Sequence, residues 1–105
     1  MQPAVPEIDG FLHEPARLRV LVLLAMVDAA DFMYLQRQTG LSRGNLSVQM
    51  GRLCEAGLVD ASKREVEGRL RTTYALTKAG SVALDDYKST MSDLLAAIPG
   101  RRPTA

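Results

Sequence analysis

The stretch GLSRGNLSVQMGRLCEAGLV, residues 40–59, combines the apolar spacing of a short helix with an excess of polar side chains. Its apolar residues recur at the three- and four-residue intervals of a helix face: Leu46, Met50, Leu53 and Cys54. Ser42 can accept a hydrogen bond from a free N–H and cap this helix, and Gly57 suits the left-handed residue that ends it. Because the apolar residues already anchor the helix, we expect its polar side to contact something outside the protein.

Two helices are predicted before this stretch. Pro15 suits a first helical turn and Glu14 the positive helix end, so the first helix should span about Pro15–Asp28. Its apolar run Val20–Val27 could also be a buried strand, but the Leu, Ala and Met content favours a helix. A helix this apolar needs cover on nearly every side, part of which another chain could supply. A short second helix, Tyr34–Thr39, ends at Gly40 and completes a helix-turn-helix pattern.

After Gly57 the pattern becomes extended. Residues 58–66 and 70–76 are predicted to form two strands, and the intervening EGR supplies a glycine turn. Thr77 is placed to cap a last helix, which should run to about Ile98 before Pro99 and Gly100. The predicted fold class is therefore mainly α with a small β-hairpin.

The totals fit one compact soluble domain: 105 residues, of which 47% are hydrophobic and 24% charged. The longest apolar run, Val20–Val27, is far shorter than the roughly 20 residues that a membrane span needs. Cys54 has no second cysteine to pair with, and the N-terminus lacks a secretion-signal pattern. We therefore expect a cytoplasmic protein.

The chain divides into four predicted segments. Residues 1–12 should form an irregular arm, which could dock through Ile8, Phe11 and Leu12. A winged helix-turn-helix domain is predicted over 13–80, a dimerisation helix over 81–98 and a flexible tail over 99–105.

Charge is unevenly distributed although the formal net charge is only +1. Residues 42–80 hold seven Lys and Arg against four Asp and Glu, whereas residues 1–41 hold three against five. This local excess is a weak signal for nucleic acid, because a dedicated basic domain would carry more positive charge.

Three stretches, taken together at their spacing in the sequence, resemble the short winged-helix transcriptional regulators related to the MarR and ArsR classes: HEPARLRVLVLL, LSRGNLSVQMGRLCEAGLV and GRLRTTYALTKAG. The resemblance covers about residues 13–90. It implies a homodimer that places one third helix per subunit in the DNA major groove, with the hairpin wing beside the backbone. Related sequences often have His within the third helix, where this chain has Gln49 and Met50, so the bases that it reads could differ.

The third helix then carries the predicted DNA contacts, since outward residues near the start of a recognition helix meet base edges. Asn45 and Gln49 could pair with adenine, and Arg43 or Arg52 with guanine or phosphate. Gly44 costs about 1 kcal/mol of helix stability relative to alanine, which suggests that the backbone at this position closely approaches DNA or a neighbouring helix. The candidate residues of this helix are Ser42, Arg43, Gly44, Asn45, Ser47, Gln49 and Arg52, of which the two serines suit phosphate. The alternative is an ordinary solvated helix face.

The hairpin wing supplies four further cations. Because Glu65 and Glu67 share its tip, only one side of the hairpin can be effectively positive. We expect the wing to add affinity and salt dependence through phosphate contacts. Its candidate residues are Lys63, Arg64, Arg69 and Arg71. A hairpin that is merely made soluble by mixed charge is the alternative.

The last helix carries an apolar stripe longer than the core of one small domain requires. We predict that it pairs two subunits, although folding back on the first helix would be the simpler use. The predicted dimer residues are Leu84, Tyr87, Met91, Leu94, Leu95 and Ile98. A two-fold dimer would place two third helices about 34 Å apart on an inverted repeat.

Other reactive residues are expected to be structural. Cys54 falls on the inner stripe of the third helix, and His13 stands beside the start of the first helix, where capping or packing is its expected role. One Cys and one His cannot assemble a zinc site within a subunit. The sequence also shows no nucleophile motif or phosphate loop, so we expect neither an enzyme nor a cofactor.

We predict that the protein is a homodimer that binds double-stranded DNA in a sequence-specific way and regulates transcription. A repressor is favoured over an activator. The alternative is a winged helix that docks on another protein and never meets DNA, which the low net charge keeps open. The sequence predicts no membrane partner and leaves a small-molecule effector undetermined.

Overall fold

Four helices and three strands form the fold in the computed structural model, which describes residues 4–101. In chain order they are α1 (Pro15–Ala25), β1 (Ala30–Asp31), α2 (Phe32–Thr39), α3 (Arg43–Glu55), β2 (Val59–Val66), β3 (Arg69–Leu76) and α4 (Lys78–Ala96). The strands form one antiparallel sheet in the order β1-β3-β2. This is the predicted winged helix, with one strand more than the sequence analysis expected.

Side-chain oxygens cap all four helices. The predicted caps are confirmed: Ser42 Oγ accepts from Asn45 N at 3.1 Å, and Thr77 Oγ1 accepts from Gly80 N at 2.9 Å. Asp31 Oδ1 accepts from Tyr34 N at 2.8 Å and starts α2. Glu14 caps α1 through Ala16 N and Arg17 N. Each cap satisfies a backbone donor that would otherwise lack a partner, so local sequence sets the start of every helix.

The wing turn uses two left-handed residues. Glu67 has φ +52° and Gly68 has φ +76° between the paired ends of β2 and β3, Val66 and Arg69. A two-residue hairpin turn with both φ values positive matches the right-handed twist of the strands. The predicted glycine turn is thus present, with Glu67 in a conformation that costs a side-chain-bearing residue about 1 kcal/mol or more.

Three helix boundaries differ from the predictions, and each strand of the hairpin begins within one residue of its predicted start. The first helix ends at Ala25 rather than Asp28, the second begins at Phe32 rather than Tyr34, and the last ends at Ala96 rather than Ile98. The predicted link before the second helix contains β1, whose two residues pair with Tyr74 and Thr73 of β3. A strand this short exists only through its partner, so no local pattern announces it.

The core lies between the helices and the inner face of the sheet. Its fully buried side chains include residues from the N-terminal segment, α1, α2, α3 and β2: Leu12, Val20, Leu21, Leu24, Leu35, Leu46, Leu53 and Val59. Ile8 and Phe11 pack against this cluster beside Leu12. Residues 1–3 of the predicted arm and 102–105 of the predicted tail lie outside the described residues.

Gly80 brings α4 against the start of β2. A Cβ at this position would stand 2.1 Å from the carbonyl oxygen of Leu58 and 3.0 Å from a methyl group of Leu76. The same Leu58 oxygen accepts from Thr77 N at 3.0 Å. Only glycine permits this approach, which fixes the last helix relative to the wing.

Candidate nucleic-acid interface

The exposed side of α3 begins at its N-cap and continues to its last turn. At about 3.6 residues per turn, Gly44, Val48 and Gly51 stand opposite the buried Leu46, Met50 and Leu53. We call the exposed residues the outer face of α3: Ser42, Arg43, Gly44, Asn45, Ser47, Val48, Gly51 and Arg52. Six of the seven candidates that the sequence placed on this helix therefore share one accessible surface.

Gln49 is the exception, and its predicted exposure is wrong. Its side chain is only 6% exposed and lies at the border between the core side and the outer face. Gln49 Oε1 accepts from Arg17 Nε at 3.0 Å, and Gln49 Nε2 donates to Asn45 Oδ1 at 3.1 Å. Both ends of its amide are therefore engaged within the chain, and Gln49 cannot pair with a base as predicted.

Arg17 is a buried cation that the sequence analysis did not single out. It is 6% exposed, donates through Nη1 to the Phe11 carbonyl at 2.7 Å, and lies 4.1 Å from the Phe11 ring centroid. These contacts tie the N-terminal segment and α1 to α3 through Gln49. Its position inside an apolar helix was the available signal, because an arginine there needs a partner for its guanidinium.

Val48 is a candidate contact that the sequence analysis missed. It lies at the centre of the outer face and is 50% exposed, which is high for a β-branched apolar side chain in a short helix. An apolar side chain in the major groove can contact the methyl group of thymine. Helical periodicity alone places residue 48 opposite Leu46 and Met50, so the signal was present in the sequence.

Gly44 faces open space. A Cβ built at this position meets no atom within 4 Å, so the suggested close approach of a neighbouring helix is absent from the described residues. Together with Gly51, which is equally open, it keeps the centre of the outer face low on either side of Val48.

Arg43 stands in the first turn of α3, where the helix dipole disfavours a cation by about 0.3–1 kcal/mol. The described first turn holds no acidic side chain to offset this charge. A bound anion such as a phosphate would relieve the unfavourable interaction, because helix N-termini attract anions.

Arg52 lies on the opposite side of the helix from Arg43, since nine residues correspond to two and a half turns. Backbone hydrogen bonds from Arg17 and Ala16 lower the pKa of the Glu14 carboxyl, and the charges of Arg17 and Arg52 lower it further. Arg43 and Arg52 therefore flank the outer face on opposite sides.

The register of the wing separates its charges as the sequence analysis expected. Residues paired across antiparallel strands share a face, and Arg64 pairs with Arg71 while Val66 pairs with Arg69. Arg64, Arg69 and Arg71 therefore lie on one face of the hairpin. Lys63 and Glu65 lie on the other. All four predicted cations are exposed, but Lys63 is separated from the three arginines.

Arg71 already has an anionic partner. Its Nη1 atom lies 3.3 Å from Asp31 Oδ2, and both side chains remain partly accessible, at 42% and 29%. The pair joins the wing to the start of α2. Arg71 is consequently less available to phosphate than Arg64 or Arg69.

A cleft of about 870 Å³ separates the wing from the start of α3. Arg43, Gly44 and Ser47 border it on the helix side, and Arg69 and Arg71 border it on the wing side. Cations on both walls suit a polyanionic strand better than an apolar ligand. Arg43, Gly44 and Ser47 of the helix thus share one cleft with Arg69 and Arg71 of the wing, and Asp31 also borders it.

Neither of the reactive side chains is arranged as a site. Cys54 is half-buried against the core, and burial, followed by the charge of Asp60, raises the pKa of its thiol. A raised thiol pKa lowers the reactive thiolate fraction. His13 Nδ1 lies 2.8 Å from the Tyr87 hydroxyl, in the packing role that was expected. Within residues 4–101 there is no cluster of potential metal ligands.

The predicted dimer residues differ in how far they are exposed to solvent. Tyr87 is 9% exposed and belongs to the chain's own core, although it also borders the groove between the first and last helices. Leu84 and Met91 are half-buried against the same core. Leu95 and Ile98 are 58% and 64% exposed, whereas Leu94 is partly covered.

An open apolar groove of about 1200 Å³ runs between α1 and α4. It is bordered by the following apolar residues: Leu18, Val22, Met26, Val27, Leu76, Val82, Leu84, Tyr87, Met91 and Leu95. Val22 of α1 and Met26 directly after it are 44% and 74% exposed, so the nearly all-apolar first helix is covered incompletely by its own chain. None of the helices described for residues 4–101 is long and apolar enough to cross a membrane.

Comparison with known proteins identifies the same fold. A family model described as a winged helix DNA-binding domain matches residues 16–95. The chain is 34% identical to the uncharacterized protein MJ0432 of Methanocaldococcus jannaschii over 71 residues, which cover 68% of this chain and 77% of the relative.

Solved structures agree. A transcriptional regulator homologue from Pyrococcus horikoshii OT3 superposes with a TM-score of 0.78 at 26% identity, covering 84% of this chain and 87% of that one. A MarR-family transcriptional regulator from Silicibacter pomeroyi gives a TM-score of 0.67 at 22% identity, covering 82% and 57%. The chain therefore belongs to the winged helix DNA-binding domain family, which is not a family of enzymes, and it shares the fold of a MarR-family regulator, so the predicted winged-helix resemblance is confirmed.

Proposed function

We propose that the protein is a homodimeric transcriptional repressor that recognises an inverted-repeat operator in duplex DNA. Each subunit inserts the start of α3 into the major groove, and the wing arginines contact the adjoining backbone. The observation that carries this proposal is the outer face of α3, where Arg43, Asn45, Val48 and Arg52 are exposed together beside a basic cleft.

The composition of the outer face suits base reading as well as phosphate contact. Asn45 offers an amide, Val48 an apolar contact for a thymine methyl, and the flanking arginines offer donors to guanine or phosphate. The flat strip formed by Gly44 and Gly51 permits the helix backbone to approach the groove floor. A surface meant only for solvent would not need this combination.

The groove between α1 and α4 supports the dimer. It exposes Val22, Met26 and Leu95 on facing helices, and an apolar patch of this kind is usually covered by another protein surface. A second copy of the chain would cover it and carry a second α3. Two-fold symmetry in the protein then requires two-fold symmetry in the operator.

Repression follows from the same geometry. A bound dimer hides promoter DNA without further contacts, whereas activation requires a surface for the transcription machinery, to which we assign no residue. Acting on the chromosome would place the protein in the cytoplasm, as the sequence analysis expected.

The decisive experiment is selection of bound fragments from genomic and random DNA, followed by fluorescence anisotropy with the selected duplex. We expect an inverted repeat with half-sites about one turn apart, and affinity that falls steeply with salt. Arg43→Glu and Arg52→Glu should each weaken binding by about 10- to 100-fold.

Arg19→Glu is the matched control, because Arg19 is an exposed arginine on α1 outside both the outer face and the cleft. It should retain most of the affinity. If no duplex is selected, the chain is better explained as a protein-interaction module. If all three variants bind a selected duplex equally, the DNA-binding surface is not the outer face of α3.

A further inference from the structure

We propose that Asn45 reads guanine, because Arg17 and Gln49 fix its amide so that N–H donors face the DNA. Arg17 and Gln49 are thus positioning residues for base recognition, and Asn45 is the residue that determines specificity. The inference rests on the proposed function, since it concerns the base that the outer face of α3 reads.

Arg17 sets the orientation of the hydrogen bonds that run from it through Gln49 to Asn45. A guanidinium has only N–H donors, so the atom of Gln49 that faces Arg17 must be its oxygen. The contact is Arg17 Nε to Gln49 Oε1 at 3.0 Å, with both side chains 6% exposed. The Phe11 carbonyl accepts from Arg17 Nη1 and holds the guanidinium from the other side.

The Gln49 amide transmits this direction to Asn45. With its oxygen committed to Arg17, Gln49 can offer only Nε2 towards Asn45, and an N–H group requires an acceptor. Asn45 Oδ1 accepts that bond at 3.1 Å. An alternating order of donors and acceptors therefore determines which end of the Asn45 amide is occupied.

Asn45 is left with its Nδ2 group for an external partner. The residue is exposed, and among the described residues Nδ2 makes no hydrogen bond. Its backbone is fixed as well, because Asn45 N donates to the cap oxygen of Ser42 at 3.1 Å. The outer face thus presents two oriented donors at one position.

In the major groove, guanine presents two adjacent acceptors, O6 and N7, whereas adenine presents one acceptor and one donor. The adenine pairing predicted from the sequence uses both ends of an asparagine amide, and here the oxygen end is already engaged. The Nδ2 group offers two free donors while Oδ1 is already turned towards Gln49, and this arrangement fits guanine better. The buried network therefore selects between two bases that the sequence pattern could not distinguish.

The first test reverses the exposed atom. In Asn45→Asp, one carboxylate oxygen still accepts from Gln49 Nε2, while the other presents an acceptor to the groove. The preferred base should change from guanine to cytosine, whose N4 group is a donor. Asn45→Ala should lose the preference at this position only, and so identifies it in the selected operator.

The second test reverses the orientation of the Asn45 amide by replacing its buried partner, Gln49. In Gln49→Glu, both carboxylate oxygens accept, one from Arg17 and one from Asn45 Nδ2, so Asn45 Oδ1 would face the DNA. We expect the preference at the Asn45 position to move from guanine to cytosine or adenine, by about 10-fold. In Arg17→Met, Gln49 loses the donor that orients its amide. Discrimination between bases at the Asn45 position should therefore fall, with the base preference at other operator positions unchanged.

All proteins are compared on four operator duplexes that differ only at this base pair, and on one that carries 7-deazaguanine, which lacks N7. The analogue should weaken binding of the natural chain several-fold but leave Asn45→Ala unaffected. Circular dichroism checks that each variant is folded, and the exposed Asn45→Asp gives a reading even if a buried variant is not.

A natural chain that binds an operator but prefers adenine at this position overturns the inference and leaves the proposed function intact. The same holds if Asn45→Asp and the natural chain share one base preference. A chain that binds no duplex overturns both.

Discussion

Arg71 and Asp31 join the wing to the start of α2, with Nη1 of the arginine 3.3 Å from Oδ2 of the aspartate. The other oxygen of Asp31 accepts from Tyr34 N at 2.8 Å and caps the helix. One carboxylate therefore serves a local and a distant partner, and two substitutions can separate its roles.

Asp31→Asn should retain the cap, because asparagine caps as well as aspartate, and lose only the ion pair, at a cost within about 0.5 kcal/mol. Asp31→Ala loses both, with a further cost of about 1 kcal/mol. Urea denaturation measures both free energies of unfolding. Equal destabilisation by the two variants would show that the cap contributes nothing.

The Asp31→Asn variant should also strengthen DNA binding. Asp31→Asn removes a negative charge beside the basic cleft and releases Arg71 towards phosphate, so we expect affinity to rise about 2- to 5-fold at low salt. Asp28→Asn removes the same charge without touching Arg71 and is the control. Equal affinities of the two variants in anisotropy would mean that Arg71 stays out of the interface.

Replacing Arg17 tests how much the buried network stabilises the fold. Arg17→Met keeps most of the apolar stem but leaves Gln49 Oε1 and the Phe11 carbonyl without their donor. We expect a loss of about 1–3 kcal/mol in the free energy of unfolding. Arg19→Met, at an exposed position of the same helix, should change it by less than about 0.5 kcal/mol. Unfolding of both variants at one urea concentration would contradict a structural role for the guanidinium.

Gly44→Ala should separate stability from binding. Its Cβ meets no atom of the chain, so alanine should stabilise α3 by up to about 1 kcal/mol. The same methyl group should weaken operator binding if the helix backbone approaches the groove at this point. Gly51→Ala, seven residues further along the outer face, should be stabilising with little effect on affinity, since base contacts concentrate near the start of a recognition helix. Unchanged binding by Gly44→Ala would remove the reason for this glycine.

Gly80→Ala is expected to have the opposite effect on stability. The added Cβ would collide with the backbone oxygen of Leu58, which also accepts from Thr77 N, so the start of α4 would have to move. We expect a loss of about 1–3 kcal/mol or more in the free energy of unfolding. Thermal unfolding beside Gly51→Ala, which has open space, isolates the collision from helix propensity. A stabilised Gly80→Ala protein would be inconsistent with this packing.

Most of the fold could be predicted because its signals are local. Ser42 and Thr77 precede their helices as caps, and the positive φ of Gly57 ends α3 as expected. β1 could not be predicted in the same way, since two residues form a strand only when β3, more than 40 positions later, lies beside them. Local propensity contains no information about such a pairing.

The candidate site was harder to predict at its border than at its centre. Residues directly opposite the core stripe are exposed in any packing, whereas Gln49 is turned inward by Arg17, 32 positions earlier. Tyr87 shows the same dependence, because its hydroxyl contacts His13 across 74 positions. Polar residues at a helix border need their distant partners before they can be assigned.

The final prediction concerns the groove between α1 and α4. Leu95 is 58% exposed on the wall of that groove, so Leu95→Glu should leave the fold intact and place a charge in the proposed subunit contact. Sedimentation should show a dimer for the natural chain and a monomer of 11.4 kDa for the variant. Operator affinity should fall by about 10²-fold or more, because each half-site then binds alone. Ser89→Glu adds the same charge to α4 at an exposed position outside the groove and should remain dimeric. A natural chain that sediments as a monomer would refute the proposed dimer, whereas a Leu95→Glu variant that stays dimeric would place the subunit contact elsewhere.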